Sequence, residues 1–444
     1  MSQHRILKLA IVFTFLLVIS TGQPLRSQQK MDSLNIDRAR GILHDAYDNV
    51  KKHYYDPKYH DVDLDARFRA FDEKIRTAQS LSESFGLIAG FLDGLNDSHT
   101  FFMPPSRPYH VDYGYRMQIY GDNCFVTRVR PSTDAESKVH PGDQVLAYNN
   151  FAVNRADFWK MDYYFNSLAP QKATILQIRQ DDGSPRQVTI DAKIHELKRT
   201  LDFTGQNGGG DIWEYIRERQ NWGHNVRQRW GTVGDVMVWK MPEFILSDGE
   251  IDRIFNDARK HKALILDLRD DPGGANVTLD RMLGNVFDHD VKIADRTGRK
   301  EMKPEVAKTR GKDAFDGKLI VLVDSRSASC AELFPRVIQL EHRGIVIGDR
   351  TAGAVMEARH YPGAQGADTK IFYSFSVTEA DMIMKDGKSL EHVGVIPDEV
   401  VIPTGKDLAS GSDPALARAA QLAGLNLDPV AAGKMFPFEW LPIT

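Results

Sequence analysis

The stretch from Lys318 to Glu332, KLIVLVDSRSASCAE, holds a candidate nucleophile. Leu319 to Val323 is an unbroken apolar run of strand length, suited to a strand buried on both faces. Asp324 to Ser327 break the run. Ala331 to Leu340 then reads as a helix, although Pro335 cannot donate the N–H that an interior position uses. Ser329 therefore stands at a strand-to-helix corner. A hydroxyl there meets the free N–H groups and favourable dipole of a helix start, which suit developing negative charge. The same residues, Ser329-Cys330-Ala331-Glu332, are also the S-x-x-E of a capping box, which alone would only start a helix. Ser327 is a rival nucleophile in the same serine cluster, and Cys330 reads as a small buried residue rather than a reactive thiol. A second stretch, Asp271-Pro272-Gly273-Gly274, can bring bare backbone N–H groups close to a substrate, as glycine permits. A third, Ser98-His99-Thr100, sets a histidine between two hydroxyls on a loop or strand after a helix. A lone loop histidine carries no function by itself.

The elements that must position these stretches are read from period. Ile36, Ala39, Ile42, Leu43, Ala46, Tyr47 and Val50 recur at helical spacing. Further helical patterns run from Leu64 to Ala78 and from Ser82 to Leu92, stopping at Gly94-Leu95-Asn96-Asp97. From Tyr109 to Ile194 the character changes to short β-like runs: Tyr115–Tyr120, Cys124–Val129, Gln144–Tyr148, Ala173–Arg179 and Arg186–Ile190. Residues from His195 to Gly231 form an irregular stretch with Gly208-Gly209-Gly210 and four tryptophan or tyrosine residues among arginines. From Val233 onward strands and helices alternate, which implies a largely parallel sheet with sites beyond the carboxyl ends of its strands. Asp271-Pro272-Gly273-Gly274 and Ser329 both lie at such ends.

Composition bounds the class. A chain of 444 residues is long enough for two or three domains. A formal charge of −4 gives no footprint for nucleic acid. Two distant cysteines do not make a disulfide scaffold. No histidine or cysteine spacing suggests a zinc site, and no cofactor is expected. Basic Arg5 and Lys8, apolar Leu9 to Ile19 and small Ser20, Thr21 and Gly22 follow the order of a secretory signal. The mature chain is therefore expected outside the cytoplasm, periplasmic or secreted, with membrane association only through an uncleaved signal.

Taken together, Pro272-Gly273-Gly274, Ser329, Gly348-Asp349-Arg350-Thr351-Ala352-Gly353 and Lys388 to Asp398 resemble the C-terminal processing protease and tricorn peptidase family. Pro141-Gly142-Asp143 with Val145, Leu146 and Asn149 resembles a PDZ domain, a module that adds an extended peptide to a sheet edge. The resemblance covers nearly the whole mature chain. It implies a multidomain α/β protein with a helical N-terminal cap, a PDZ-like β domain and a crotonase-like core. The expected divisions are a signal at 1–27, the helical region at 31–106, the PDZ-like domain at 109–194, an irregular insert at 195–231, the peptidase core at 232–405 and a C-terminal tail at 406–444.

One branch of that family uses a Ser–Lys dyad, but Ala354 stands where the lysine would be. The tricorn-like branch uses serine, histidine, a second serine and glutamate. The resemblance assigns these to Ser329, His99, Ser98 and Glu391. Ser329 then attacks a peptide carbonyl, His99 takes its proton, and Ser98 and Glu391 orient and polarise the imidazole. The oxyanion hole falls to the N–H of Cys330 with one from Gly273 or Gly274. His392 and His360 are alternative bases, and Glu391 read by itself is a solvated hairpin charge. The expected partner is a polypeptide substrate. The same fold also serves proteins that are not proteases, so an inactive peptide- or ligand-binding protein, or an esterase or acyl transferase, is the rival reading.

Overall fold

The computed structural model describes residues 31–180, 182–196, 228–366 and 370–440. The expected signal at 1–27 and residues 197–227 of the expected insert lie outside the described residues. In chain order the helices are α1 (Ser33–His53), α2 (Leu64–Arg76), α3 (Leu81–Asp93), α4 (Phe158–Tyr163), α5 (Asp248–Ala258), α6 (Asn276–Gly284), α7 (Cys330–Leu340), α8 (Gly405–Ser410), α9 (Pro414–Leu422) and α10 (Pro429–Gly433). The strands are β1 (Phe101–Met103), β2 (Tyr109–Asp112), β3 (Tyr115–Tyr120), β4 (Asn123–Val129), β5 (Gln144–Tyr148), β6 (Phe151–Ala152), β7 (Ala173–Arg179), β8 (Pro185–Asp191), β9 (Lys193–Glu196), β10 (Arg229–Val233), β11 (Val236–Lys240), β12 (Ala263–Asp267), β13 (Val291–Gly298), β14 (Glu305–Ala307), β15 (Lys318–Val323), β16 (Ile345–Gly348), β17 (Met356–Gln365), β18 (Ile371–Met384) and β19 (Glu399–Val400).

The molecule is organised by a six-stranded sheet in the order β10-β11-β12-β15-β16-β19. Only the β10–β11 pair is antiparallel; β11, β12, β15, β16 and β19 run parallel. The five residues of β12 are all buried, as are Leu319 to Val323 of β15, which is why these strands read as continuous apolar runs. One face packs against Ile251, Ile254 and Phe255 of α5, Leu279 and Met282 of α6 and Phe334 and Val337 of α7. Ala415, Leu416, Ala419 and Ala420 of α9 pack on the other face. Within the expected C-terminal tail, α9 and Ala432 of α10 thus cover one face of the sheet. Arg269 ties them down, binding Asp267 through Nε and Nη2 at 2.8 and 2.7 Å and Asp413 through Nη1 and Nη2 at 2.8 and 2.7 Å.

A second, five-stranded antiparallel sheet had no counterpart in the sequence pattern. Its path is β1-β18-β13-β14, with β17 also on β18. The N-terminal helices lie on it. Asp32, Asp63 and Ser80 cap them by accepting the N–H groups of Asn35, Ala66 and Glu83. The buried stripe Ala39, Ile42, Leu43, Ala46 and Val50 of α1 then packs with Phe85, Ile88 and Phe91 of α3 and with Phe102, Tyr373, Phe375 and Val377 of the sheet. In β1 Phe101 pairs with Ser376 and Phe102 with Phe375, so the sheet anchors the chain two residues after His99.

The third sheet, β3-β4-β5-β7-β8 with β6 on β5, encloses its own core of Met117, Ile119, Val126, Val145, Tyr148, Leu176, Ile178 and Ile190. Its edge strand β3 is not open. The Met117 carbonyl accepts Arg326 Nη2 at 2.8 Å and the Ile119 carbonyl accepts the Ser325 hydroxyl. Gln118 Nε2 donates to Asp324 Oδ2 at 2.6 Å, and Arg116 pairs with Asp270 at 3.0 Å. Strand addition at this edge would have to displace the loop that leads into Ser329.

Candidate active site

Three neighbouring parallel strands deliver three loops to one end of the six-stranded sheet. β12 ends in Asp271-Pro272-Gly273-Gly274, β15 in the loop to Ser329 and β16 in the loop to Ala354. Ser329 has φ 54° and ψ −119°, a left-handed conformation that a non-glycine residue holds only under constraint. The constraint is visible. Its N–H donates to the Ala354 carbonyl at 2.8 Å and to Glu332 Oε2 at 3.2 Å, while its carbonyl accepts the N–H groups of Glu332 and Leu333.

Glu332 does more than cap. Its fully buried carboxylate also accepts the Gly353 and Ala354 N–H groups, both at 2.8 Å, and the Thr351 hydroxyl. Burial pushes its pKa up to about 7 in spite of these donors. The Gly353–Ala354 loop is therefore bound through its backbone, with Ala354 serving Glu332 and Ser329 at once. Ser327 is fully buried, donating to the Leu268 carbonyl at 2.8 Å and accepting the Asp324 N–H at 2.9 Å; it is a turn residue. Cys330 is buried and burial pushes its thiol up to about 12, so it stays protonated.

Gly273 has φ 93°, and a Cβ there would lie 2.7 Å from Ser329 Cβ and 2.9 Å from Cys330 N. Only glycine permits this approach. The sequence left Gly273 and Gly274 open as donors. The Gly273 N–H is taken by Asp271 Oδ1 at 2.7 Å. The N–H groups of Gly274 and Cys330 have no acceptor among the described residues, as anion-binding donors require.

His99 lies between α3 and β1. Its Nδ1 is 2.8 Å from Ser98 Oγ, which donates to Glu391 Oε2 at 2.8 Å; Glu391 Oε1 accepts the Ser98 N–H at 2.7 Å. Because the Ser98 proton is spent on Glu391, its oxygen accepts from Nδ1–H, which leaves Nε2 as the basic nitrogen. Glu391 Oε2 also accepts the Val355 N–H at 2.9 Å. Val355 follows Ala354, which binds Ser329. A run of hydrogen bonds thus joins His99, Ser98 and Glu391 to the loop that holds the serine. Glu391 is no solvated hairpin charge. Its own pKa is raised, first by burial. That of His99 is lowered, chiefly by burial and also by His360, against the pull of Asp97.

Asp97 was missed by sequence reasoning. It is buried, and its Oδ1 accepts the N–H groups of His99 and Thr100 at 2.8 and 3.1 Å and the Thr378 hydroxyl at 2.8 Å. The signal available was an aspartate two residues before a histidine, the spacing of an Asx turn. The alternative bases flank the relay, with His392 Nε2 3.5 Å from Glu391 Oε1. His392 turns Nε2 to the Asn96 carbonyl at 2.9 Å, and His360 is exposed on β17.

Residues 233–401 match the model for peptidase family S41. Among curated proteins, the tail-specific protease of Haemophilus influenzae is 24% identical over 282 residues, covering 58% of this chain and 36% of that protein. The probable CtpA-like serine protease of Staphylococcus epidermidis is 29% identical over 188 residues, covering 40% of this chain and 35% of the relative. The chain thus spans about a third of the length of these relatives. Among solved structures, mature CPAF aligns with a TM-score of 0.62 at 17% identity, covering 85% of this chain and 95% of that one, which shows a shared mixed α/β fold.

Proposed function

We propose that this chain, a member of the C-terminal processing protease family through its S41 core, is a serine endopeptidase working through an acyl-enzyme at Ser329. The observation that carries the reading is the His99–Ser98–Glu391 relay bonded to the loop that constrains Ser329. His99 Nε2 takes the Ser329 proton as Oγ adds to a peptide carbonyl. Ser98 and Glu391 hold Nδ1–H and stabilise the imidazolium. The oxyanion forms against the N–H groups of Cys330 and Gly274. Return of the proton to the leaving amine gives the acyl-enzyme, which water then hydrolyses by the same route. Ala354 cannot accept a proton, so a Ser–Lys dyad has no lysine at that position.

The remaining architecture follows this reading. The sheet from β3 to β8 is the PDZ-like domain, the six-stranded sheet with its helices is the crotonase-like core, and the substrate is an extended polypeptide. The basic and apolar order of Met1 to Gly22 supports export.

Fluorophosphonate labelling with peptide mapping tests the nucleophile. The label is expected on Ser329, lost in Ser329→Ala and reduced on the order of 10²–10⁴-fold in His99→Ala. Folded protein that remains unlabelled would point to a binding protein. Labelled protein that cleaves esters but no peptide would point to an esterase.

A further inference from the structure

Asp271 is a carboxyl beside the reaction centre that the mechanism above does not use. It opens the turn after β12 and is 0% exposed. Its Oδ1 holds the Gly273 N–H at 2.7 Å, and its backbone carbonyl holds the Ala328 N–H at 3.0 Å. One residue thus braces both the glycine turn and the residue before Ser329. Its Oδ2 is buried with no hydrogen-bond partner among the described residues, a costly position for an ionised oxygen.

The charges that face it do not neutralise it. Lys240, at the end of β11, is bound to Asp267 at 3.3 Å and to the Arg269 carbonyl. Glu243, from the loop after β11, and the neighbouring Asp270 both add negative potential, and the Cys330 thiol at the start of α7 is neutral. Burial, reinforced by Glu243 and Asp270, outweighs Lys240 and the Gly273 bond and raises the proton affinity of Asp271 well above the carboxylate range.

We propose that Asp271 is a positioning residue that works as a neutral acid, bracing the Gly273–Gly274 turn beneath the oxyanion site. Losing its proton to solvent base at high pH leaves a negative charge under the donors that must receive a second one. The oxyanion is then opposed and turnover falls. The inference rests on Ser329 as nucleophile.

Asp271→Asn keeps the shape and the acceptor for the Gly273 N–H but cannot ionise. In the wild type, kcat/KM should fall about tenfold per pH unit on the alkaline side, as loss of one proton dictates. Asp271→Asn should lose that limb while the acid limb set by His99 stays in place. Asp271→Ala, without the acceptor, should lose kcat at every pH. An alkaline limb unchanged in Asp271→Asn overturns the proposal. So does failure of Asp271→Asn to fold, because an amide replaces a neutral acid in kind.

Thermal unfolding provides a separate check that needs no activity. An acid whose folded pKa is raised loses stability as pH climbs from its unfolded value towards its folded one. Asp271→Asn should therefore melt above the wild type at pH 8, with the gap narrowing towards pH 4. Equal melting at pH 8 counts against the neutral acid. A wild type that neither labels nor hydrolyses at any pH removes the peptidase reading and leaves the melting comparison standing.

Discussion

At the scale of single residues, the site is a problem in proton placement. Burial lowers the proton affinity of His99, which keeps Nε2 free near neutrality, while Asp97 pulls the other way. The base must be neutral to act, so lower proton affinity carries activity to lower pH. Asp97→Asn retains an acceptor for the His99 N–H and removes the charge. Its acid limb in kcat/KM should move to lower pH than that of the wild type; a limb that stays put, or moves up, would show that Asp97 does not act on the base. Ser98 and His99 took their roles from the family resemblance; the strand-to-helix corner at Ser329 was legible because its neighbours are local. Asp97 was not. Its partner Thr378 lies 281 positions away, and no local pattern reports that contact. Glu391 was found only through resemblance, since its bonds to Ser98 span 293 positions.

Elements show the same division. The runs Tyr115–Tyr120, Gln144–Tyr148 and Ala173–Arg179 emerge as strands with those bounds; burial alternates cleanly in Ala173–Arg179, while the other two bury adjacent residues at their centre or end. The parallel strands are readable because both faces are covered. β18 defeats the pattern. Tyr373, Phe375 and Val377 are buried on one parity, but Ala380, Met382 and Met384 on the other. The switch sits where β17 pairs Ala358 with Thr378 but Glu357 with Ala380, a bulge at Glu379 that flips the inward face. β17 offers no apolar run and contains Pro362 and Gly363. This unread sheet holds β1 and so the approach to His99. At the start of α7, Glu332 offers a direct test. Glu332→Ala leaves the N–H groups of Gly353 and Ala354 without their carboxylate. It should cost about 3 kcal/mol, the scale of buried groups stripped of a partner, together with most of the activity. Denaturant unfolding measures the first and labelling at Ser329 the second. A loss near the 1 kcal/mol of an ordinary helix cap would reduce Glu332 to that role.

At the scale of the whole molecule, the third sheet is held to the core from two sides. Polar contacts run along β3. Past α10, Phe438 lies 5.3 Å from the Arg116 guanidinium and 5.5 Å from that of Arg128, and Trp440 lies 4.5 Å from that of Arg130. At about 0.5–1 kcal/mol each, such contacts fix a domain weakly but in one orientation. Ending the chain after Phe436 should speed hydrogen exchange in β3 and β4 and leave β12 and β15 protected; unchanged exchange in β3 would show that the tail plays no part in docking. The covered edge of β3 has another consequence, for solubility. While Ser325 and Arg326 occupy its carbonyls, two molecules cannot join there strand to strand. Heat or salt that loosens the Arg116–Asp270 and Arg155–Asp349 pairs bares that edge before the core melts. Inactivation should then be irreversible and steeper in concentrated than in dilute solution, because clumping through a sheet edge overtakes re-docking.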